Sequence, residues 1–119
     1  KFKDDFKKRL YGWVLKLIKA IESMPNNKTS EIITKQLLRS GTSVLANYVE
    51  ASSASSKKDF INFFNYSLKS ANESKMWISL LMDTKNGNAE DLNALLKELI
   101  ELSNIVASSI ITLKNKNKI

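Results

Sequence analysis

Apolar side chains recur at helical spacing along almost the whole of this chain, and the pattern breaks at three places. The breaks are Pro25-Asn26-Asn27, Ser52-Ser53-Ala54-Ser55-Ser56 and Asn86-Gly87-Asn88. Each joins turn-forming residues to good helix N-caps. With 3 Gly and 1 Pro in 119 residues, the chain has few other places to turn. That disfavours a fold of many short strands and leaves a few long helices.

The periodicity predicts four of them. The first, about 2–24, carries Phe6, Leu10, Val14, Leu17 and Ile21 on one face, and Pro25 stops it. The second, 30–51, starts at Thr29 or Ser30 and carries Ile33, Leu37, Val44, Tyr48 and Ala51. Gly41 lies inside it, at a cost of about 1 kcal/mol relative to Ala, which close approach of a neighbouring helix would explain. The third, 57–85, opens on a capping box of Ser56 and Asp59, carries Phe60, Phe64, Ser67, Leu68, Ala71, Ile78, Leu81 and Met82, and ends at Gly87 as a left-handed C-cap. The fourth, 89–113, is capped by Asn88 and carries Leu92, Leu95, Leu96, Leu99, Val106, Ile110 and Leu113. Residues 114–119 form a basic tail that frays. Four amphipathic helices with short links make an all-α, antiparallel up-down-up-down four-helix bundle in a single domain, 1–119.

That topology gives the charge a place. The net charge is +7 and the pI about 9.6. Residues 1–21 hold Lys1, Lys3, Lys7, Lys8, Arg9, Lys16 and Lys19 against Asp4 and Asp5, and the tail adds Lys114, Lys116 and Lys118. Antiparallel helices bring both ends of the chain to one pole. Lys3, Lys7, Lys8, Arg9, Lys114, Lys116 and Lys118 are therefore candidates for contacting phosphates.

The apolar faces are wider than a monomer needs. Helix one is apolar over an arc of roughly 220°, against about 100° for a surface helix. Tyr11, Leu15 and Ile18 form a second stripe beside its core stripe. Leu38, Leu45 and Val49 do the same on helix two, and Met76 and Leu80 on helix three. Scattered exposed apolar residues are ordinary; adjacent stripes point to self-association, with Tyr11, Leu15, Ile18, Leu38, Leu45 and Val49 as the interface.

The residue inventory argues against catalysis. There is no Cys and no His, so the commonest general base and metal ligand are missing. Glu50, Asp59 and Glu73 suggest a di-metal bundle site only if Glu-x-x-His pairs accompany them, and none do. Asp59 reads instead as a cap, Glu50 as a partner for Arg39, Lys57 or Lys58, and Glu73 as a hydrogen-bond acceptor from a neighbouring helix. Trp13, Phe63, Phe64, Tyr66 and Trp77 can stack on bases, but helical spacing places them in the core or an interface. No metal, cofactor or enzyme activity is expected. No apolar run reaches the ~18 residues of a membrane span and no signal peptide is visible, so a cytoplasmic location is expected.

One flank of helix two is small and polar. It reads Arg39-Ser40-x-x-Ser43-x-x-x-Asn47-x-x-Glu50-Ala51, followed by Ser56-Lys57-x-Asp59-Phe60 and then Glu73 and Trp77. This string resembles the small bacterial four-helix-bundle proteins found as reading frames within intervening sequences of 23S ribosomal RNA genes. It is similar as well to the accessory variability determinant of diversity-generating retroelements. The resemblance covers most of the chain and is densest from Gln36 to Met82. It implies a homopentameric ring, and it places Arg39, Ser43, Asn47, Glu50, Asp59 and Glu73 at structural motif positions. The retroelement relatives imply two partners, nucleic acid and a reverse transcriptase. Together these readings give a non-enzymatic oligomer with a nucleic-acid-binding basic pole. The rival is a protein–protein scaffold with incidental charge.

Overall fold

The structure, a computed structural model, describes residues 2–116 and the side chains of residues 5–116. Four helices follow one another: α1 (Phe2–Glu22), α2 (Lys28–Ala51), α3 (Lys57–Asp83) and α4 (Ala89–Asn115). Each packs on its neighbours in chain order and α1 closes the ring against α4, which makes an antiparallel bundle.

The core is built from the expected periodic positions. Leu10, Leu17, Leu37, Ile78, Leu81, Leu92 and Leu99 are almost wholly buried, and so is Leu102, which the periodic reading omits. Trp13 joins them, fully buried, and its indole N–H donates to the Leu95 carbonyl of α4 at 3.0 Å. Gly41 lets α1 come close. A Cβ built there would stand 2.3 Å from Leu17 Cδ2 and 3.5 Å from the Trp13 ring. Between α2 and α3 the filler is serine. Ser40 and Ser74 hydroxyls meet at 2.8 Å, and Ser67 donates to the Val44 carbonyl at 2.8 Å, all three buried.

The helix ends refine the sequence reading. Asn27, not Thr29 or Ser30, caps α2, because its side chain accepts from the Ser30 N–H; α2 therefore begins two residues earlier, at Lys28. Asn27 also donates to Asn86 Oδ1 at 2.9 Å, which ties the first loop to the third. Ser56 and Asn88 cap α3 and α4. The end of α3 differs from expectation. Thr84 is its C-cap, and Lys85, at φ 58°, takes the left-handed position. The Lys85 N–H reaches the Met82 carbonyl and the Asn86 N–H the Leu81 carbonyl, the paired bonds of a Schellman motif. Gly87, at φ 85°, lies further along, where a Cβ would meet Met24 Sδ at 2.6 Å. At the other end of the chain α4 runs on to Asn115, two residues into the stretch expected to fray.

Candidate functional site

The bundle has two poles of different charge. One collects the first turns of α1 and α3 and the last turns of α2 and α4. Lys7, Lys8, Lys57, Lys58, Lys114 and Lys116 are exposed there, beside Asp5, Glu50 and Asp59. The other pole mixes Lys19, Lys28 and Lys85 with Glu22, Glu31, Asp83, Glu90 and Asp91. A helix of α4's length spans about 40 Å, several Debye lengths at physiological salt, so each pole acts on a ligand independently. Of the basic residues named from sequence, the Lys3 side chain and the whole of Lys118 lie outside the described residues.

Two features of this pole differ from the sequence reading. Lys57 and Lys58 belong to it, because the Ser-rich loop between α2 and α3 lands at the same end as both chain termini. Arg9 is committed elsewhere. Its guanidinium bonds Glu101 at 2.9 Å and Glu98 at 3.2 Å on α4, with Lys16 at 3.6 Å from Glu98. The bond to Glu101 chiefly holds its pKa above the ordinary value, against partial burial. Arg9 stitches α1 to α4, and its charge is balanced by those two carboxylates.

The polar flank of α2 faces α3. Arg39 is ion-paired with Glu73, and its Nε donates to Gln36 at 3.0 Å. The Trp77 indole N–H donates to Glu73 Oε2 at 2.9 Å. That bond, more than the Arg39 charge, holds the Glu73 carboxyl below the usual range. Ser43 donates to the Arg39 carbonyl and Asn47 to the Ser43 carbonyl, each at 2.9 Å. Glu50 is exposed, two turns past Ser43, and Arg39 pairs with Glu73 rather than with it. Asp59 sits in the first turn of α3, where its backbone N–H donates to Ser56 Oγ and its carboxylate accepts from Ser55. The three carboxylates thus lie in separate surroundings, and no group of three or more metal-ligating side chains forms among the described residues. The strip pairs α2 with α3. It aligns no nucleophile with a base.

Exposed apolar residues lie on all four helices. On α1, Arg9 and Lys16 mark the flank toward α4, so Tyr11, Leu15 and Ile18 line the flank toward α2. There Leu38, Leu45 and Val49 continue the strip; Tyr11, Leu15 and Leu38 are 55%, 53% and 39% exposed, the rest half-buried. Tyr66, Met76 and Leu80 of α3, beside Glu73 on the flank that meets α2, and Ile100 and Ile111 of α4 are also exposed. No described helix is long and apolar enough to cross a membrane.

The chain matches the model of the 23S rRNA-intervening sequence protein family over residues 5–108. It belongs to that family. Among solved structures, it is similar to a crystal structure from Bacteroides thetaiotaomicron described as a protein with unknown function from the S23 ribosomal protein family. The two are 31% identical, the similarity covers 92% of this chain and 98% of that one, and the TM-score is 0.84. No curated protein matches the chain. The family match takes in Lys7, Lys8, Lys57 and Lys58 of the basic pole and stops short of Lys114 and Lys116.

Proposed function

We propose that this member of the 23S rRNA-intervening sequence protein family is a non-enzymatic homo-oligomer, a pentameric ring, that binds nucleic acid through its basic pole. The observation that carries the reading is the gathering of Lys7, Lys8, Lys57, Lys58, Lys114 and Lys116 at one end while the other end is mixed. Clustered lysines release counterions from a phosphate backbone without reading sequence. The exposed apolar strip of Tyr11, Leu15 and Leu38, with further exposed apolar residues on α3 and α4, supports self-association, and a head-to-tail contact closes into a ring when the rotation allows. A ring whose axis runs along the helices repeats the pole on one rim and multiplies its potential. The absence of His and Cys supports the non-enzymatic part. The name of the family points to ribosomal RNA as the first nucleic acid to try.

A fluorescence anisotropy titration with labelled single-stranded RNA tests this. Affinity should fall steeply with salt and depend little on base sequence. The double change Lys7→Gln/Lys8→Gln should flatten the salt slope by about 0.7 for each phosphate that is no longer neutralised. Arg9→Gln should leave the slope alone, since Arg9 is already paired. Absence of binding at low salt removes the nucleic-acid reading and leaves the scaffold.

A further inference from the structure

The basic pole carries a groove of about 770 Å3, within the roughly 300–1,000 Å3 of small-molecule sites. All four helices line it, and its walls differ in chemistry. On one side, four rings from α1, α2 and α3 run in contact. Phe6 meets Tyr48 at 5.0 Å between ring centres, Tyr48 meets Phe64 at 5.5 Å, and Phe64 meets Phe60 at 4.6 Å. Phe60, at the end of the row, is half-buried where the other three are buried, so it offers ring surface to an occupant. On the other side, α4 presents Asn104, Ser108 and Thr112, spaced one turn apart and all exposed. Their side chains make no hydrogen bond to another described residue. Lys7 is the one charged residue in the lining; Asp5, Glu50 and Asp59 stand at the same pole outside it, and Asp59 accepts from Ser55.

These walls select against a saturated chain, which would desolvate the α4 amide and hydroxyls without replacing their bonds to water. A nucleobase meets both walls. Its face stacks on an aromatic ring, and its edge carries donors and acceptors that Asn104, Ser108 and Thr112 complement. Its backbone phosphate brings an anion to Lys7, the contact that the pole already offers. In a duplex the faces and edges of a base are taken up by its neighbours, so the base has to come from a single strand.

We propose that the groove takes one unstacked base of a single-stranded nucleic acid, its face against Phe60, its edge toward Asn104, Ser108 and Thr112, and its phosphate at Lys7. This rests on the reading of the pole as a nucleic-acid site and adds to it: the lysines hold a strand by charge, and the groove tells a strand with free bases from a bare polyanion. Every base has a π-face, so the contact tolerates sequence.

Fluorescence anisotropy titrations of the full chain test it, with labelled oligouridylate and with an abasic strand of equal length on the same ribose–phosphate backbone. Oligouridylate should bind about fivefold tighter or more. The salt slopes should match, because the phosphates are equal in number. Ile105→Trp, which fills the groove, should bring the two strands level while the far-UV circular dichroism stays unchanged. Ile105 is partly buried, so a change at exposed positions keeps the test valid if the tryptophan disturbs the fold: Asn104→Ala/Thr112→Ala should cut the preference about twofold or more. Failure of both strands to bind at low salt removes the pole reading and the groove's occupant with it. Equal, salt-dependent binding of both strands leaves the pole as proposed and overturns the base site. A preference that persists in folded Ile105→Trp, or that Asn104→Ala/Thr112→Ala does not reduce, overturns it as well.

Discussion

Gly41→Ala sets two known effects against each other, and the geometry around it decides the sign. Alanine is the better helix former by about 1 kcal/mol. At position 41, however, its Cβ would stand 2.3 Å from Leu17 Cδ2, where carbon atoms normally rest at about 3.5–4.0 Å. Leu17 is fully buried and cannot swing into solvent. Trp13 closes the same space, with ring carbons 3.5 and 3.6 Å from the new atom, and its bond to Leu95 holds it. Overpacking of this kind typically costs about 1–3 kcal/mol. The net expectation is destabilisation of about 1 kcal/mol, or a fall in melting temperature of about 4 °C for a domain of this size. Thermal melts at one fixed protein concentration measure it, since self-association shifts the midpoint. A double-mutant cycle isolates the cause. Leu17→Ala should cost about 2–5 kcal/mol alone and about 1 kcal/mol less beside Ala at position 41, because it removes the clash. If Gly41→Ala raises the melting temperature and adds independently to Leu17→Ala, α1 and α2 are not packed as described.

Three further outcomes follow from the same structure. Lys85→Gly should raise the melting temperature, because Lys85 holds the left-handed position at a strain of about 1 kcal/mol that glycine does not bear. The Glu73 carboxyl is held low first by the Trp77 N–H and then by Arg39, so its stabilisation is present above the ordinary carboxylate value of 4.5 and is lost as pH falls through the lower native value. The melting temperature of Glu73→Gln should therefore drop less than that of the unaltered protein on acidification below that value; parallel curves would refute the assignment. Leu15→Lys should shift the mass measured by light scattering toward the 13.5 kDa of one chain while helicity is kept, and an unaltered protein that is already monomeric at micromolar concentration would refute the ring.

The bundle is legible in the sequence because its signals are local. Periodic apolar positions and capping residues such as Ser56 and Asn88 act within one turn of helix, and the chain has too few glycines and prolines to offer rival turns. The α3 C-terminus departs furthest from the local reading, at a place where a tertiary bond adds to the local signal. Gly87 is the usual left-handed residue, but the backbone turns two residues earlier at Lys85, where the Asn27–Asn86 bond from another loop fixes the connection. The pole is only half visible. The charge of residues 1–21 and of the tail can be counted along the sequence, whereas Lys57 and Lys58 join it only through topology. Arg9 looks the same as its lysine neighbours in sequence, and only the packing of α4 sets Glu98 and Glu101 against it.

The proposed function requires that charge at one pole, not charge in general, binds nucleic acid. The direct measurement compares two triple variants of equal charge loss. Lys7→Gln/Lys57→Gln/Lys58→Gln removes cations from the basic pole, and Lys19→Gln/Lys28→Gln/Lys85→Gln removes them from the other. Both are titrated against the same labelled single-stranded RNA across a series of salt concentrations. The first should lower affinity and flatten the salt slope by up to about 2, at roughly 0.7 per neutralised phosphate, while the second should leave the slope where it was. Equal losses from both variants, or no loss from the first, would contradict a polar binding site.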